Sequence, residues 1–289
     1  MNFNAIQNPI ILGSTGTLGR ALKNVLSGKN LSVSDTFEEE FKRNYRIENK
    51  TQIDYNLLKK QKPTSIIYTA QSRRYKEYPA GVADLTMLNI TIPLQLSEIC
   101  ADINIPFVYC STGSIYKNST NRIDENSELI ENHELNPYTA SKLLTDLTLQ
   151  EKLSSQKIII LRPFYIYGIG ARVPALFPTL VDKIKRNETI HLSGAEGMLI
   201  NPIHSIDAAR AIIHLLEKNL NGVYNLAGLE IFSMRQISKI IGYEVGTKPE
   251  FSEMQGPLKT IANQDKLIGT GFKYESKFEE SLKLYISAM

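Results

Sequence analysis

The sequence predicts an α/β protein built on a doubly wound parallel sheet, with a smaller lobe interleaved toward the C-terminus. Four short, nearly continuous apolar runs recur in the first 165 residues, as expected for parallel strands that helices cover on both faces. Amphipathic helical patterns separate these runs. Strands that alternate with helices in this way predict right-handed crossovers within one sheet.

The elements are predicted in the following order. Strands of the sheet are expected at Ile10–Leu12, Ser65–Tyr68, Pro106–Cys110 and Lys157–Leu161, with weaker candidates at 31–35 and 45–47. Helices between them are expected around Leu18–Leu26, Ile53–Leu58, 80–103 and 137–155. After Pro163 the regularity loosens, and the pattern indicates a helix to Arg186, short strands near 189–192, a helix at 205–218, a strand at 222–226 and an amphipathic segment near 278–286.

Composition excludes several classes of protein. The 289 residues are 42% hydrophobic and 22% charged, which is ordinary globular composition, and a net charge of +3 is too small to indicate a nucleic-acid partner. No run reaches the ~18 apolar residues of a membrane span, and the N-terminus lacks the pattern of a signal peptide. Cys100 and Cys110 do not have metal-ligand spacing. We therefore expect a cytoplasmic protein with no metal, no membrane partner and no disulfide framework.

A glycine-rich turn follows the first strand and opens the first helix, with the sequence Gly13-Ser14-Thr15-Gly16-Thr17-Leu18-Gly19. Gly13 permits the tight turn, Gly16 lets backbone N–H groups approach a pyrophosphate, and Gly19 lets the helix pack close to the strand. The helix N-terminus supplies partial positive charge and free donors. The position favours a dinucleotide-binding turn of the Rossmann type over a purely structural one.

This turn also suggests how the chain is divided. Residues 1–165 are expected to form a dinucleotide-binding domain to which residues 203–228 return, because the α/β pattern resumes there. Residues 166–202 and 229–289 are expected to form the substrate-binding lobe. Asp35 ends the second strand candidate and could accept hydrogen bonds from the adenosine ribose, which favours NAD over NADP; otherwise it is a turn residue. Arg20 and Lys42-Arg43 keep NADP open.

Tyr138 and Lys142 are four residues apart at the start of a predicted helix, so that both lie on one face. A phenol titrates at about pH 10, and a neighbouring ammonium together with an oxidised nicotinamide would lower that pKa. The small polar cluster Cys110–Ser114 ends a buried strand upstream. Because ligands bind at the carboxyl ends of the strands in doubly wound sheets, these features are expected to share one crevice.

Taken together, the motifs resemble those of the extended short-chain dehydrogenase/reductases, the NAD-dependent epimerase/dehydratase family that acts mostly on nucleotide sugars. The resemblance covers almost the whole chain. It rests on the glycine spacing and the Tyr138–Lys142 pair, and on Thr69-Ala70, Asn89-Ile90, Ser111-Thr112, Ile115-Tyr116, Leu161-Arg162-Pro163, Tyr167-Gly168 and Ile203-His204-x-x-Asp207.

The resemblance implies a role for each matching residue. Thr112 would hydrogen-bond the reacting sugar oxygen, Tyr138 would be the acid–base, and Lys142 would lower the pKa of Tyr138 and hold the nicotinamide ribose. The glycine turn and Asp35 would hold the adenosine diphosphate half. The other positions that would line the coenzyme are Glu48, Ala70, Gln71, Asn89 and Pro163, although Asn89 could instead serve the backbone and Pro163 a turn. His204 is expected to be structural.

Departures from the family pattern narrow the reaction. Dehydratases of the family carry Asp-Glu directly after the catalytic Thr, whereas this chain has Gly113 and Ser114, neither of which transfers protons usefully. Tyr165 stands where Asn is common and Ile200 where Arg is common, so that a diphosphate contact is lost. Arg73, Arg74 or Arg172 could replace it, or the substrate is not an ordinary nucleotide sugar. The candidate substrate residues are Arg73, Thr112, Gly113, Ser114, Tyr165 and Arg172.

Three functions remain open at this point. The leading interpretation is an NAD(P)-dependent reductase of a 4-keto-6-deoxy nucleotide sugar, with NAD as the expected coenzyme. The alternative is a sugar 4-epimerase, which would use the same three residues and retain its NAD. A non-catalytic dinucleotide-binding module is the third. The resemblance also implies a homodimer formed by the helices at 80–103 and 137–155, although the stripe Leu143, Leu144 and Leu147 fits burial against the sheet equally well.

Overall fold

The structure, a computed structural model, describes residues 5–31, 38–39, 52–72, 74–131, 135–256 and 259–289. It confirms the fold class, because its largest sheet has five strands and every pair of neighbours is parallel. In their order across the sheet, the strands are β1 (Pro9–Leu12), β2 (Ser65–Tyr68), β3 (Phe107–Cys110), β4 (Ile158–Pro163) and β9 (Gly222–Leu226). Apart from Leu31, the strand candidates at 31–35 and 45–47 lie outside the described residues.

The helices follow the predicted order. They are α1 (Thr17–Gly28), α2 (Tyr55–Lys60), α3 (Val82–Thr86), α4 (Ile92–Asp102), α5 (Pro137–Gln150), α6 (Leu176–Lys185), α7 (Ser205–Glu217), α8 (Met234–Val245), α9 (Asp265–Gly269) and α10 (Phe278–Ser287). Within the described ranges, no helix is both long and apolar enough to cross a membrane.

The helix expected at 80–103 is interrupted by a π-helical turn, Met87–Thr91, between α3 and α4. Pro93 follows this turn and has no N–H to donate to the carbonyl of Asn89, four residues earlier. That carbonyl instead accepts hydrogen bonds from Thr145 Oγ1 at 2.6 Å and Tyr109 Oη at 3.3 Å. The turn therefore joins α4 to both β3 and α5, at a position where π-turns often mark functional sites.

Alternating strand residues bury the two faces of the sheet under separate helical layers. Ile11, Ile67 and Val108 pack in one core with residues of α1 and α7. Ile10 and Ile66 pack in the other with residues of α2, α4 and α5. Both layers exclude water from the strands, which explains why the strand sequences are continuously apolar.

A third core lies in the part of the chain expected to bind substrate, and residues of α6, α8 and α10 surround it. Its strands are β5 (Ile166–Tyr167) with β8 (Ile203–His204), β6 (Ile190–Ser193) with β11 (Phe251–Met254), and β10 (Phe232–Ser233) with β7 (Leu199–Ile200) and β12 (Lys259–Thr260). Leu267 and Phe272 pack in the sheet core instead, so the C-terminal segment contributes to both parts. The division into a coenzyme domain and a substrate lobe remains a prediction.

Candidate active site

The glycine turn closes tightly over the ends of β1 and β2. Gly13 has φ = +96°, and a Cβ there would lie 2.6 Å from the N of Ala70 and 2.7 Å from the carbonyl C of Thr69. The N–H of Gly16 donates to the Gly13 carbonyl at 3.0 Å. A Cβ on Gly19 would overlap that same carbonyl oxygen. Gly13 and Gly19 are therefore sterically required, for the turn and for the approach of helix to strand, whereas a Cβ on Gly16 would lie 3.3 Å from the Gly13 carbonyl oxygen, a tight but adjustable contact.

The N-terminus of α1 is suited to an anion. Gly16 is its N-cap residue and supplies no side-chain cap, and the first turn carries no acidic residue. The N–H groups of Thr17, Leu18 and Gly19 are among the first-turn donors that lack a partner within the helix. Thr15 is exposed beside them. This geometry fits a pyrophosphate, and the coenzyme role of these residues stays a prediction.

A buried carboxylate that the sequence analysis missed lies against this turn. Glu38 is 2% exposed, and its Oε1 accepts hydrogen bonds from the backbone N of Gly13 at 3.0 Å and of Ser14 at 3.1 Å. Glu38 follows Gly19 by 19 residues, close to the spacing of about 20 that is usual for a ribose-binding acid. That spacing could have indicated Glu38 from the sequence, but the sequence analysis assigned the ribose to Asp35, at the end of the second strand candidate.

Lys42 and Arg43, which keep NADP open, lie outside the described residues. Asp35, Glu48 and Arg73 lie outside the described residues, so their coenzyme and substrate roles remain predictions.

The structure brings Thr112 and Tyr138 close together, and their catalytic roles stay predictions. Thr112 is buried at the end of β3, where its hydroxyl accepts a hydrogen bond from the N of Ser114 at 3.2 Å. Tyr138 lies in the first turn of α5, which Asn136 and Thr139 begin with a reciprocal capping box. The side chain of Thr112 lies close enough to Tyr138 to lower the pKa of its phenol, against the larger effect of burial. The two hydroxyl groups can therefore address one substrate oxygen.

Lys142 lies one turn further along α5 and is 2% exposed. Its Nζ donates to the carbonyl of Cys110 at 2.7 Å and lies 4.9 Å from the ring centroid of Tyr109. Burial lowers the pKa of Lys142 to about 8. Because one of its three N–H groups is bonded to Cys110, the ammonium retains donors for a further ligand.

Burial raises the pKa of Tyr138, and the neighbouring Thr112 side chain only partly opposes this. The lowering expected from the Lys142 ammonium together with an oxidised nicotinamide stays a prediction, and without the coenzyme the pKa of Tyr138 is raised. The physical reason is that Tyr138 loses its hydration, whereas Lys142 directs its charge at the Cys110 carbonyl.

Asn89 supports the first turn of α5 from the π-helical turn. Its Nδ2 donates to Ser141 Oγ at 2.9 Å, and that hydroxyl donates to the Tyr138 carbonyl at 2.8 Å. Among the described residues, Asn89 Oδ1 and Ser111 Oγ are buried without a hydrogen-bond partner. Unsatisfied buried polar atoms are costly, so they fit a crevice that a polar coenzyme completes.

The remaining predicted coenzyme residues lie at strand ends. Ala70 and Gln71 directly follow β2, with Ala70 half-buried and Gln71 exposed. Pro163 is half-buried at the end of β4. These positions lie at the carboxyl edge of the sheet, where ligands of doubly wound folds bind, and their roles stay predictions.

The candidate substrate residues differ in environment. Gly113 is buried, and a Cβ there would lie 2.6 Å from Cε2 of Phe164. Ser114 and Arg172 are exposed. Tyr165 has φ = +51°, a conformation that is strained for a bulky side chain and is often found at functional sites.

The hydroxyl of Tyr165 lies 3.7 Å from Met198 Sδ, and Thr260 Oγ1 lies 3.3 Å from the same sulfur. Ile200, at the family's arginine position, is completely buried. Around Tyr165, the side chains of Met198, Thr260 and Ile200 are therefore uncharged.

A buried ion pair joins β4 to α5, the helix of Tyr138 and Lys142, and was not predicted. Arg162 donates to Asp146 through Nε at 3.1 Å and Nη2 at 2.7 Å, and both residues are at most 1% exposed. Arg162 Nη1 also donates to the hydroxyl of Tyr116 at 2.7 Å. Asp146 follows Lys142 by four residues, so it continues the helix face of Tyr138.

No group of three or more His, Cys, Asp or Glu suited to a metal occurs within the described ranges. His204 packs on the ring of Tyr167 at 5.3 Å, and burial lowers its pKa.

Comparison with known proteins identifies the family. A sequence model of the NAD dependent epimerase/dehydratase family matches residues 10–227, more than half of the chain. The chain belongs to this family. A family member from Streptomyces niveus, named dTDP-4-keto-6-deoxy-D-glucose reductase, is 22% identical over 218 residues, which are 75% of this chain and 71% of that protein.

Solved structures share the fold over the whole length. A UDP-N-acetylglucosamine 4-epimerase from Methanobrevibacter ruminantium, solved with UDP-N-acetylmuramic acid, matches with a TM-score of 0.79 and 19% identity, covering 97% of each chain. A dTDP-4-dehydrorhamnose reductase from Bacillus anthracis, solved with NADP, matches with a TM-score of 0.78 and 18% identity, covering 98% of this chain and 99% of that one. The recognition of the family from the sequence is thus confirmed.

Proposed function

We propose that this protein is an NAD(P)-dependent reductase of a 4-keto-6-deoxy nucleotide sugar. The proposal rests on Tyr138 beside Thr112, with Gly113 and Ser114 directly after Thr112. Expelling water from a sugar needs an additional acid and base, and neither of these two residues can serve. Phe164 also leaves no room for a side chain at position 113. Carbonyl reduction needs a hydride, which the coenzyme would supply, and otherwise only the hydroxyl groups of Thr112 and Tyr138.

The comparison with the Streptomyces niveus reductase supports the same chemistry, because that protein is named for a 4-keto-6-deoxy sugar nucleotide. Membership of the family supports the more general statement that the chain is a relative of enzymes that modify nucleotide sugars.

The side chains of this site divide the work of the reaction. When bound, the nicotinamide coenzyme supplies the hydride for the carbonyl carbon. The Thr112 and Tyr138 hydroxyls polarise the carbonyl oxygen, and Tyr138 gives it a proton. The Lys142 ammonium then lies one helical turn away to stabilise the phenolate that remains.

Glu38 favours NAD over NADP in this proposal. Its carboxylate lies on the N–H groups of Gly13 and Ser14, at the end of the turn where the adenosine ribose is expected. Two ribose hydroxyls can donate to a carboxylate, whereas a 2′-phosphate would bring like charges together. Asp35, the residue proposed from the sequence, could act beside it.

We also propose a homodimer. Leu144 is 52% exposed and Leu147 is 44% exposed on α5, so these two residues are not buried against the sheet. Exposed leucines one turn apart on a helix form an apolar stripe that a second copy of α5 would cover.

The test is coenzyme oxidation with a panel of 4-keto nucleotide sugars that includes dTDP-4-keto-6-deoxyglucose. The wild type should oxidise NADH, and Tyr138→Phe should lose turnover by about 10³-fold while binding the coenzyme normally. A protein that holds NAD tightly, inverts C4 of a nucleotide sugar and never consumes added coenzyme would instead be the 4-epimerase. Coenzyme binding without turnover on any sugar would indicate the binding module.

A further inference from the structure

The segment between β2 and α3 turns one aromatic side chain toward the site. Among residues 74–80, Tyr75 is half-buried and the others are exposed. The ring centroid of Tyr75 lies 5.2 Å from that of Tyr138, with 53° between the ring planes. We propose that Tyr75 is a positioning residue, which shields the Tyr138 ring from water and holds its hydroxyl toward Thr112. The inference rests on the proposed role of Tyr138.

The backbone around Tyr75 is held in place. Ser72 Oγ is hydrogen-bonded to the carboxylate of Asp84 and accepts from the N of Arg74 at 3.0 Å. Arg74 Nε donates to Glu77 Oε2 at 2.8 Å. A Cβ on Gly81 would overlap the carbonyl of Arg74, so the two ends of the segment are in direct contact. The position of Tyr75 is therefore defined by its surroundings and not by one flexible torsion.

A second contact links this segment to the loop before α6. Lys76 Nζ donates to the carbonyl of Pro174 at 3.4 Å and lies 5.7 Å from the ring centroid of Tyr75. The ring of Tyr75 thus contacts Tyr138 and also lies near the Lys76 ammonium, which joins this segment to the loop before α6. An aromatic ring at this place covers apolar area of Tyr138 that water would otherwise reach.

Several ionisable groups face Tyr138 besides Tyr75. Cys110 and Tyr109 on β3 are its titratable neighbours, Thr112 also lies close to it, and Lys142 lies one helical turn further along α5. Loss of hydration is the largest cause that raises the pKa of Tyr138. Removing the Tyr75 ring would admit water to the phenolate and favour that form.

The experiment measures the ionisation of Tyr138 directly. The chain contains no tryptophan, so phenolate absorbance in the near ultraviolet can be followed against pH in NAD-saturated protein. The signal of Tyr138 is the difference between each variant and the same variant that also carries Tyr138→Phe. The variants are Tyr75→Ala, Tyr75→Phe, and Tyr78→Ala as the matched control, because Tyr78 is 71% exposed on the same segment.

We expect Tyr75→Ala to shift the titration of Tyr138 to lower pH by about one unit. Tyr75→Phe keeps the ring and should leave it unshifted, as should Tyr78→Ala. In the keto-sugar assay, Tyr75→Ala should lower kcat and leave the KM for the coenzyme unchanged, since the phenol loses its orientation.

The proposal is overturned if Tyr75→Ala, folded by circular dichroism, leaves the titration of Tyr138 unchanged or outside the accessible pH range. An equal shift in Tyr78→Ala overturns it as well. If Tyr75→Ala does not fold, Tyr75→Leu takes its place under the same criteria. The titration uses no sugar, so its result stands even where the reductase assay shows no turnover.

Discussion

The buried pair of Asp146 and Arg162 offers the most direct test of what holds α5, the helix of Tyr138 and Lys142, in place. Asp146→Asn keeps the size of the side chain and removes its charge. The carboxylate accepts two hydrogen bonds from Arg162 and one from Gln150 Nε2 at 2.8 Å. In the variant, the guanidinium keeps its bonds to the Tyr116 hydroxyl and the Glu125 carbonyl but has no counter-charge.

The expected loss is large because both groups are out of water. Removing one partner of a buried ion pair costs about 3–5 kcal/mol, since the other charge stays desolvated and unpaired. We expect about 3 kcal/mol for Asp146→Asn, the lower end, because the amide oxygen can still accept one bond. At the few degrees per kcal/mol found for chains of this size, the melting temperature should fall by roughly 10 °C.

Urea and thermal unfolding, followed by circular dichroism, measure the loss. The matched control is Asp182→Asn, which breaks a pair with Arg186 at 3.1 Å on the surface of α6, where the side chains are 43% and 65% exposed. Exposed pairs contribute below about 1 kcal/mol. The double change Asp146→Leu/Arg162→Met should recover much of the stability, because no unpaired charge is left. A loss in Asp146→Asn no larger than in the control would refute the reasoning.

Three further predictions follow from the site. Burial lowers the pKa of Lys142 from 10.5 to about 8, so between these pH values the unfolded chain binds more protons than the folded one. The free energy of unfolding should therefore rise with pH over that window by up to about 3 kcal/mol. Lys142→Met should remove this rise when unfolding is measured against pH. Glu38→Gln should reduce the preference for NADH over NADPH about tenfold in fluorescence titrations, with its exposed neighbour changed in Glu39→Gln as the control; equal effects of the two would exclude a ribose-side role. Leu147→Glu should convert the proposed dimer to a monomer in light scattering, whereas Leu284→Glu, on a more exposed leucine of α10, should not; a wild type that is already monomeric contradicts the proposal.

Local features of the chain were readable from the sequence because their causes are local. Strands covered on both faces must be continuously apolar, which is why β2 and β3 were located to within one residue. The positions of Gly13 and Gly19 reflect steric limits that a side chain would violate. Tyr138 and Lys142 share a helix face whatever surrounds the helix.

Other features depend on contacts between distant parts of the chain, and only the tertiary structure decided them. Tyr75 reaches Tyr138 across 63 residues, and Glu38 reaches the glycine turn across 25. The direction in which the Tyr138 pKa moves was also beyond the sequence, because it depends on how much water the fold leaves around the phenol. Spacing along a helix places two groups on one face, but hydration and partners come from the elements packed against that face.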